Sequence, residues 1–92
     1  MGRWYWVHVV SDCEYCVKAL KLLNETGFQY VVSFYDKNLP ILEATKNVWD
    51  HKTTPIIIEY RLSGDPQLIG GYDDLVEYLT DLGYISNKEE KT

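Results

Sequence analysis

Apolar residues recur along the chain at two different spacings, and the switches between them mark out the elements. Residues 4–10 are an aromatic and β-branched run with no strong helix former, which reads as a strand buried on both faces and therefore central in a sheet. Ser11-Asp12 break the run. Cys16, Ala19, Leu20 and Leu23 then recur at helical spacing until Gly27 supplies a stop, so the pattern predicts a helix over about 14–25. Residues 28–35 are again β-rich. A strand, helix, strand order with a short last link implies a right-handed crossover and two parallel neighbours.

From 39 to about 51, Ile41, Ala44, Thr45, Val48 and Trp49 share one face of a predicted second helix, with Asn38 as its cap and Pro40 in the first turn. Residues 55–60 read as a strand, 62–66 as turn material and 67–69 as a short return strand, which together make a hairpin. That pair is expected to run antiparallel to the first two strands. Behind Asp73 and Asp74, Leu75, Val76, Leu79 and Leu82 sit at helical spacing, and Gly83 ends the helix. The order is βαβαββα, an α/β domain whose helices cover one mixed sheet. Residues 86–92 are polar and charged and are expected to form a flexible tail.

Composition narrows the function classes. Ninety-two residues that are 46% apolar and 14% aromatic suffice for one core without disulfide staples. A net charge of -5, with nine Lys and Arg scattered along the chain, argues against nucleic acid, whose phosphates need a basic face. No apolar run reaches the ~18 residues of a membrane span, and the start lacks a signal-peptide core, so a cytoplasmic location is expected. Asn24-Glu25-Thr26 matches a glycosylation sequon that has no use in that compartment.

The chemistry concentrates in Cys13-Glu14-Tyr15-Cys16, which contains both cysteines of the chain. At i and i+3 where a helix starts, the two thiols are close enough for a reversible disulfide. Unpaired backbone N–H groups and the positive end of the helix dipole favour the thiolate of the first, so Cys13 is the expected nucleophile and Cys16 the resolving thiol. A purely structural disulfide across two residues closes too small a loop to stabilise much, and a zinc site lacks a second ligand pair. His8 and His51 are isolated, and no metal is expected. His8 reads as a hydrogen-bonded, partly buried strand residue, and Trp4, Trp6, Tyr30 and Phe34 as core or sheet-face residues.

Three separated motifs coincide: Cys13-Glu14-Tyr15-Cys16 after the first strand, Thr53-Thr54-Pro55 before the third, and Ile69-Gly70-Gly71-Tyr72-Asp73-Asp74 before the last helix. Together they resemble the glutaredoxin family, and the similarity spans nearly the whole chain. The resemblance implies a thioredoxin-like fold, with a four-stranded mixed sheet flanked by three helices in one glutaredoxin domain over 1–85. It implies a cis Pro55, with the exposed Thr54 backbone receiving a substrate strand. Gly70, Gly71, Asp73 and Asp74 would hold the γ-glutamyl end of glutathione, Lys52 its glycine carboxylate, and Tyr15 would flank its sulfur. Glutathione is thus the implied co-substrate. Capping of the last helix by Asp73 or Asp74 is expected as well.

The chain departs from the family's usual pattern in two ways. Glu14 stands where Pro commonly follows the first cysteine, and Asp12 precedes Cys13, so both neighbours of the nucleophile are acidic. The basic residue often found just upstream is replaced by Val10 or Ser11. The expected activity is glutathione-dependent thiol–disulfide exchange by a monomer on protein disulfides and glutathione mixed disulfides, with ribonucleotide reductase as an implied client. The alternatives are a thioredoxin-like donor regenerated by a flavoprotein reductase, and a glutathione-ligated iron–sulfur carrier.

Overall fold

The computed structural model describes residues 2–85, and the tail expected over 86–92 lies outside the described residues. The elements are β1 (Arg3–Val9), α1 (Glu14–Thr26), β2 (Gln29–Phe34), α2 (Leu39–Trp49), β3 (Ile56–Arg61), β4 (Gln67–Gly70) and α3 (Tyr72–Asp81). This is the βαβαββα order that the periodicity predicts. The sheet runs β2-β1-β3-β4, so β1 and β3 are central. β1 pairs with β2 in parallel, Tyr5 opposite Tyr30, and with β3 antiparallel, Val7 opposite Ile57.

One expectation about direction fails. Only β3 runs antiparallel to β1; β4 is antiparallel to β3 and therefore points the same way as β1 and β2. A hairpin reverses the chain, so its two strands cannot share one direction.

The alternation along β1 divides the core. Tyr5, Val7 and Val9, together with Ile57, face α1 and α3, which contribute Cys16, Ala19, Leu23, Leu75 and Leu79. Burying each of the two α3 leucines is worth about 1.5–3 kcal/mol, and it fixes α3 against the sheet. Gly27 ends α1 in the left-handed region, its N–H bonded to the Asn24 carbonyl at 3.2 Å, as expected of a glycine stop.

The opposite face is thinner. Ile56, Ile58, Tyr35 and Leu42 form a smaller cluster there. Trp4 and Trp6 are only half-buried, and Trp4 stacks on Tyr60 with ring centroids 4.4 Å apart. β1 is thus fully buried on one face and partly open on the other. α2 is held mainly through Leu42, whereas Ile41 and Val48 remain 52% and 75% exposed. The five residues of the predicted face, Ile41, Ala44, Thr45, Val48 and Trp49, do share one side, where they line a shallow groove against Trp6, His8, Tyr35, Ile58 and Tyr60. Within it Thr45 and Trp49 are the better covered, and Leu42 beside them is buried. Asn38 occupies the N-cap position but makes no side-chain capping bond; its carbonyl accepts the N–H groups of Ile41 and Leu42. Among the described residues, no helix is long and apolar enough to cross a membrane.

Candidate active site

Three chain segments meet at one end of the sheet, and each is fixed by a local feature. The first is the start of α1. Cys13 has extended backbone and is the N-cap, and its sulfur accepts the Cys16 N–H at 3.2 Å. Cys13 and Cys16 are joined as a disulfide, with Cα atoms 5.2 Å apart. Cys16 is buried in the main core while Cys13 is only partly covered, so an incoming group can reach Cys13 and not Cys16. A sulfur in the N-cap position lies where a helix favours negative charge.

The loop carrying Cys13 is tied to the loop that leaves the adjacent strand β2. Asp36 accepts the Ser11 N–H at 3.0 Å and the Ser11 hydroxyl at 2.8 Å, and these bonds hold its carboxyl below the usual carboxylate range. Sequence gave no sign of this fastening, because Asp36 lies in the β2–α2 loop and has no local partner.

The second segment is the approach to β3. The Thr54–Pro55 peptide bond is cis, as the resemblance implies. The Cys13 sulfur lies 3.7 Å from the Thr54 carbonyl oxygen and 3.4 Å from the Thr54 hydroxyl. When Cys13 is a thiolate, that hydroxyl is placed to donate to it, which adds a stabilising contact to that of the Cys16 N–H.

The third segment is the β4–α3 junction. Gly71 is the N-cap of α3, and Asp74 accepts its N–H at 2.9 Å. The expected capping by Asp73 or Asp74 therefore takes a different form: Asp74 sits in the first turn and reaches back to the cap. Gly70 has φ +118, and a Cβ there would run into the Asp74 carboxylate. Position 70 thus needs glycine both for its backbone conformation and for the space that Asp74 fills.

Between these segments runs a groove of about 280 Å³. Thr53, Thr54 and Pro55 form one wall, Gly71, Asp73 and Asp74 the other, and Tyr15 and Tyr72 stand at its mouth with ring centroids 6.1 Å apart. Of the predicted site residues, Tyr15, Thr54, Pro55, Gly71, Asp73 and Asp74 line this groove; Cys13 touches Thr54 beside it, Gly70 abuts Asp74, and Cys16 is buried behind Cys13. Lys52 is exposed and does not line the groove; its neighbour His51 does. The acidic residues flanking Cys13 are both exposed, and Glu14 pairs with Lys18 at 3.4 Å.

Two buried groups lie outside this groove. His8 is buried with its Nδ1 2.8 Å from the Tyr35 hydroxyl, and burial lowers its pKa. Glu59, on the α1/α3 face of β3, is 1% exposed. It accepts the hydroxyls of Tyr5 and Tyr78 at 2.8 Å and the Arg61 Nε at 2.8 Å. Nothing local in residues 56–61 marks it as buried, because two of its partners, Tyr5 and Tyr78, lie on β1 and α3. Among the described residues, no group of three or more His, Cys, Asp or Glu side chains could hold a metal ion.

A parallel β1–β2 pair, an antiparallel β3–β4 extension, a CxxC disulfide at the start of α1 and a cis-proline beside it define a thioredoxin-like fold of the glutaredoxin type. A glutaredoxin 1 from Francisella tularensis, solved in complex with cacodylate, superposes with a TM-score of 0.65 at 17% sequence identity, over 87% of this chain and 94% of that one. No protein-family model matches the sequence, and the curated proteins give no significant match.

Proposed function

We propose that the chain is a dithiol, glutathione-linked thiol–disulfide oxidoreductase of the glutaredoxin family. The observation that carries this reading is the Cys13 sulfur at the α1 N-terminus, half-exposed and within 3.4 Å of the Thr54 hydroxyl beside cis-Pro55. In the dithiol form, the Cys13 thiolate attacks one sulfur of a substrate disulfide. The substrate S–S bond breaks, a Cys13 mixed disulfide forms, and the other substrate sulfur leaves as a thiolate that takes up a proton. Cys16 then attacks Cys13, releasing the second substrate thiol and closing the intramolecular disulfide. One glutathione thiolate reopens it at Cys13, and a second removes the first as glutathione disulfide, so two electrons pass from two glutathiones to the client.

The groove supports this reading through its two ends. Asp73 and Asp74, at the α3 start, suit the ammonium of a γ-glutamyl group, and the open Thr54 backbone suits an extended peptide. Disulfide-bearing proteins in the cytoplasm are the proposed clients, ribonucleotide reductase among them as the resemblance implies, with the enzyme acting as a monomer. One observation favours a second reading, a thioredoxin-like donor regenerated by a flavoprotein reductase: Lys52 stands off the groove and Asp12 and Glu14 flank the nucleophile, so cationic contacts for glutathione are few. Turnover of a glutathione mixed disulfide, with glutathione as sole reductant, tests the proposal. Sustained turnover that disappears in Cys13→Ser supports it, and reduction of the disulfide only by a flavoprotein reductase refutes it.

A further inference from the structure

A second groove opens on the face of the sheet that α2 covers, and it shares no residue with the one beside the cysteines. Alternation along β1 and β3 sends Trp6, His8, Ile58 and Tyr60 to this side, with Trp6 opposite Ile58 in the register. Ala44 and Thr45 stand in the middle of the α2 face, and their small side chains leave about 280 Å³ open above the rings. No Asp, Glu, Lys or Arg lines this groove. Two of its polar groups are taken within the protein: the Trp6 Nε1 donates to the Ser33 hydroxyl at 2.8 Å, and the Tyr35 hydroxyl lies 2.8 Å from the His8 Nδ1. The other nitrogen of His8 is different. His8 is 5% exposed, its ring stacked on Trp6 with centroids 5.1 Å apart and edge-on to Tyr35. Among the described residues, the one side-chain polar atom both sealed from solvent and unpartnered is the Arg3 Nη1. The His8 Nε2 has no partner among them either, and since it is not sealed it opens on the groove that His8 lines. A nearly buried nitrogen left unpaired is costly, and its specific position calls for a partner.

We propose that this groove is a binding site for a neutral molecule of two fused aromatic rings with a hydroxyl on its edge, the rings lying against Trp6, Trp49 and Tyr60 and the hydroxyl bonded to the His8 Nε2. Each part of that description follows from the walls. An apolar cavity of about 150 Å³ takes benzene, so a groove of about 280 Å³ has room for a second fused ring. Flat rings make the largest contact with walls that are themselves indole and phenol rings. A charge of either sign on the ligand would leave water with no opposite charge to meet it, since burial holds His8 in its neutral form near pH 7. The hydroxyl is specified by the imidazole. If the Tyr35 hydroxyl donates to Nδ1, Nε2 carries the proton and points a donor at the groove; if Nδ1–H donates to Tyr35, Nε2 is an acceptor. An aryl hydroxyl completes either arrangement, because it both donates and accepts. The site does not depend on the redox reading above.

Titration of the full chain with naphthol, followed by NMR through the indole N–H signals of Trp6 and Trp49, tests the site. Both signals are expected to shift saturably. Naphthoate, the same ring system with a carboxylate in place of the hydroxyl, is expected to bind at least about tenfold more weakly. His8→Phe keeps a stacked ring and removes the nitrogen, and should weaken naphthol binding about three- to tenfold. Ala44 is exposed, so Ala44→Leu is carried without harm to the fold; its longer side chain fills the groove and should abolish the shifts. Dispersed amide signals in the same spectra confirm that each variant is folded, and the naphthoate comparison and Ala44→Leu decide the question on their own if His8→Phe does not fold. No saturable shift at Trp6 and Trp49, equal binding of naphthoate, unchanged affinity in a folded His8→Phe, or shifts that persist in Ala44→Leu overturns the inference. So does movement of the two signals with protein concentration alone, which would make a second copy of the chain the occupant.

Discussion

Replacing Glu59 by Ala tests how the end of the sheet remote from the cysteines is held. The carboxylate is sealed between β3 and α3, where it accepts the hydroxyls of Tyr5 and Tyr78 and the Arg61 Nε, with the Arg3 Nε at 3.4 Å. Burial alone would raise its pKa, but the hydrogen bonds from Tyr5, Tyr78 and Arg61 and the charge of Arg3 outweigh burial, and the net shift is downward. Removing one partner of a buried charge network costs about 3–5 kcal/mol. The Arg3 and Arg61 side chains are 24% and 48% exposed, so both guanidiniums regain water in the variant and a loss near the lower end, about 3 kcal/mol, is expected. At about 4–8 °C per kcal/mol for a domain of this size, Tm falls by about 12–24 °C. Urea denaturation gives the free energy and thermal denaturation the Tm. A loss below about 1 kcal/mol would refute the reasoning, since the tyrosine hydroxyls would then have found other partners. The pH dependence has a definite sign. A carboxylate whose folded pKa is depressed contributes stability above its unfolded pKa of about 4.3 and loses it as pH falls through the folded value. Wild-type stability should therefore drop on acidification below about pH 4, and Glu59→Ala should lack that part of the drop.

The other predictions concern the site and its supports. Cys13→Ser should abolish turnover, while Cys16→Ser should keep turnover of small glutathione mixed disulfides and lose that of protein disulfides, because free glutathione can resolve only the former; steady-state assays with both substrates decide it. Gly70→Ala should destabilise the fold by about 2–4 kcal/mol, combining the cost of an unfavourable φ with loss of the Asp74 cap, and should raise KM more than it lowers kcat; urea denaturation and kinetics check both. Glu14→Pro, made in a Cys16→Ser background, should lower the Cys13 pKa, and only slightly, because the Glu14 carboxylate is exposed and already paired with Lys18; thiolate absorbance against pH reads it, and no fall at low salt would show that the charge is not felt. His8 binds its proton less readily folded than unfolded, so stability should decline as pH drops below about 6.5. His8→Asn should flatten that decline, as measured by urea denaturation at pH 7 and 5.

What the chain makes legible is what it encodes over a few residues. The apolar spacing of α1 and α3, the β-branched runs of β1 and β3 and the glycine at the end of α1 each need only their own neighbours, and each was found within one or two residues. The two cysteines at a helix start belong to the same class. How loosely α2 seats was not legible, since an apolar face predicts contact with the sheet but not that Leu42 is buried while Ile41 and Val48 stay exposed. The Ser11–Asp36 fastening and the Glu59 network join residues whose separation in sequence is 25 in the first case and 54 between Tyr5 and Glu59. Neither leaves a local trace, because an isolated acid in a loop or a strand looks like any solvated charge.

The difference between Lys52 and His51 comes from the same limit acting on a single residue. The resemblance favours the lysine, which directly precedes Thr53-Thr54-Pro55. Which side chain enters the groove is decided by the backbone where α2 ends, and there Asp50 adopts a left-handed conformation that residues other than glycine visit infrequently, with Asp and Asn the main exceptions. Had α2 ended one residue later, the positions of 51 and 52 relative to the groove would have changed with it. A helix stop thus sets which of two adjacent side chains lines the groove, and Asp50, the residue at that stop, is not among the groove's lining residues.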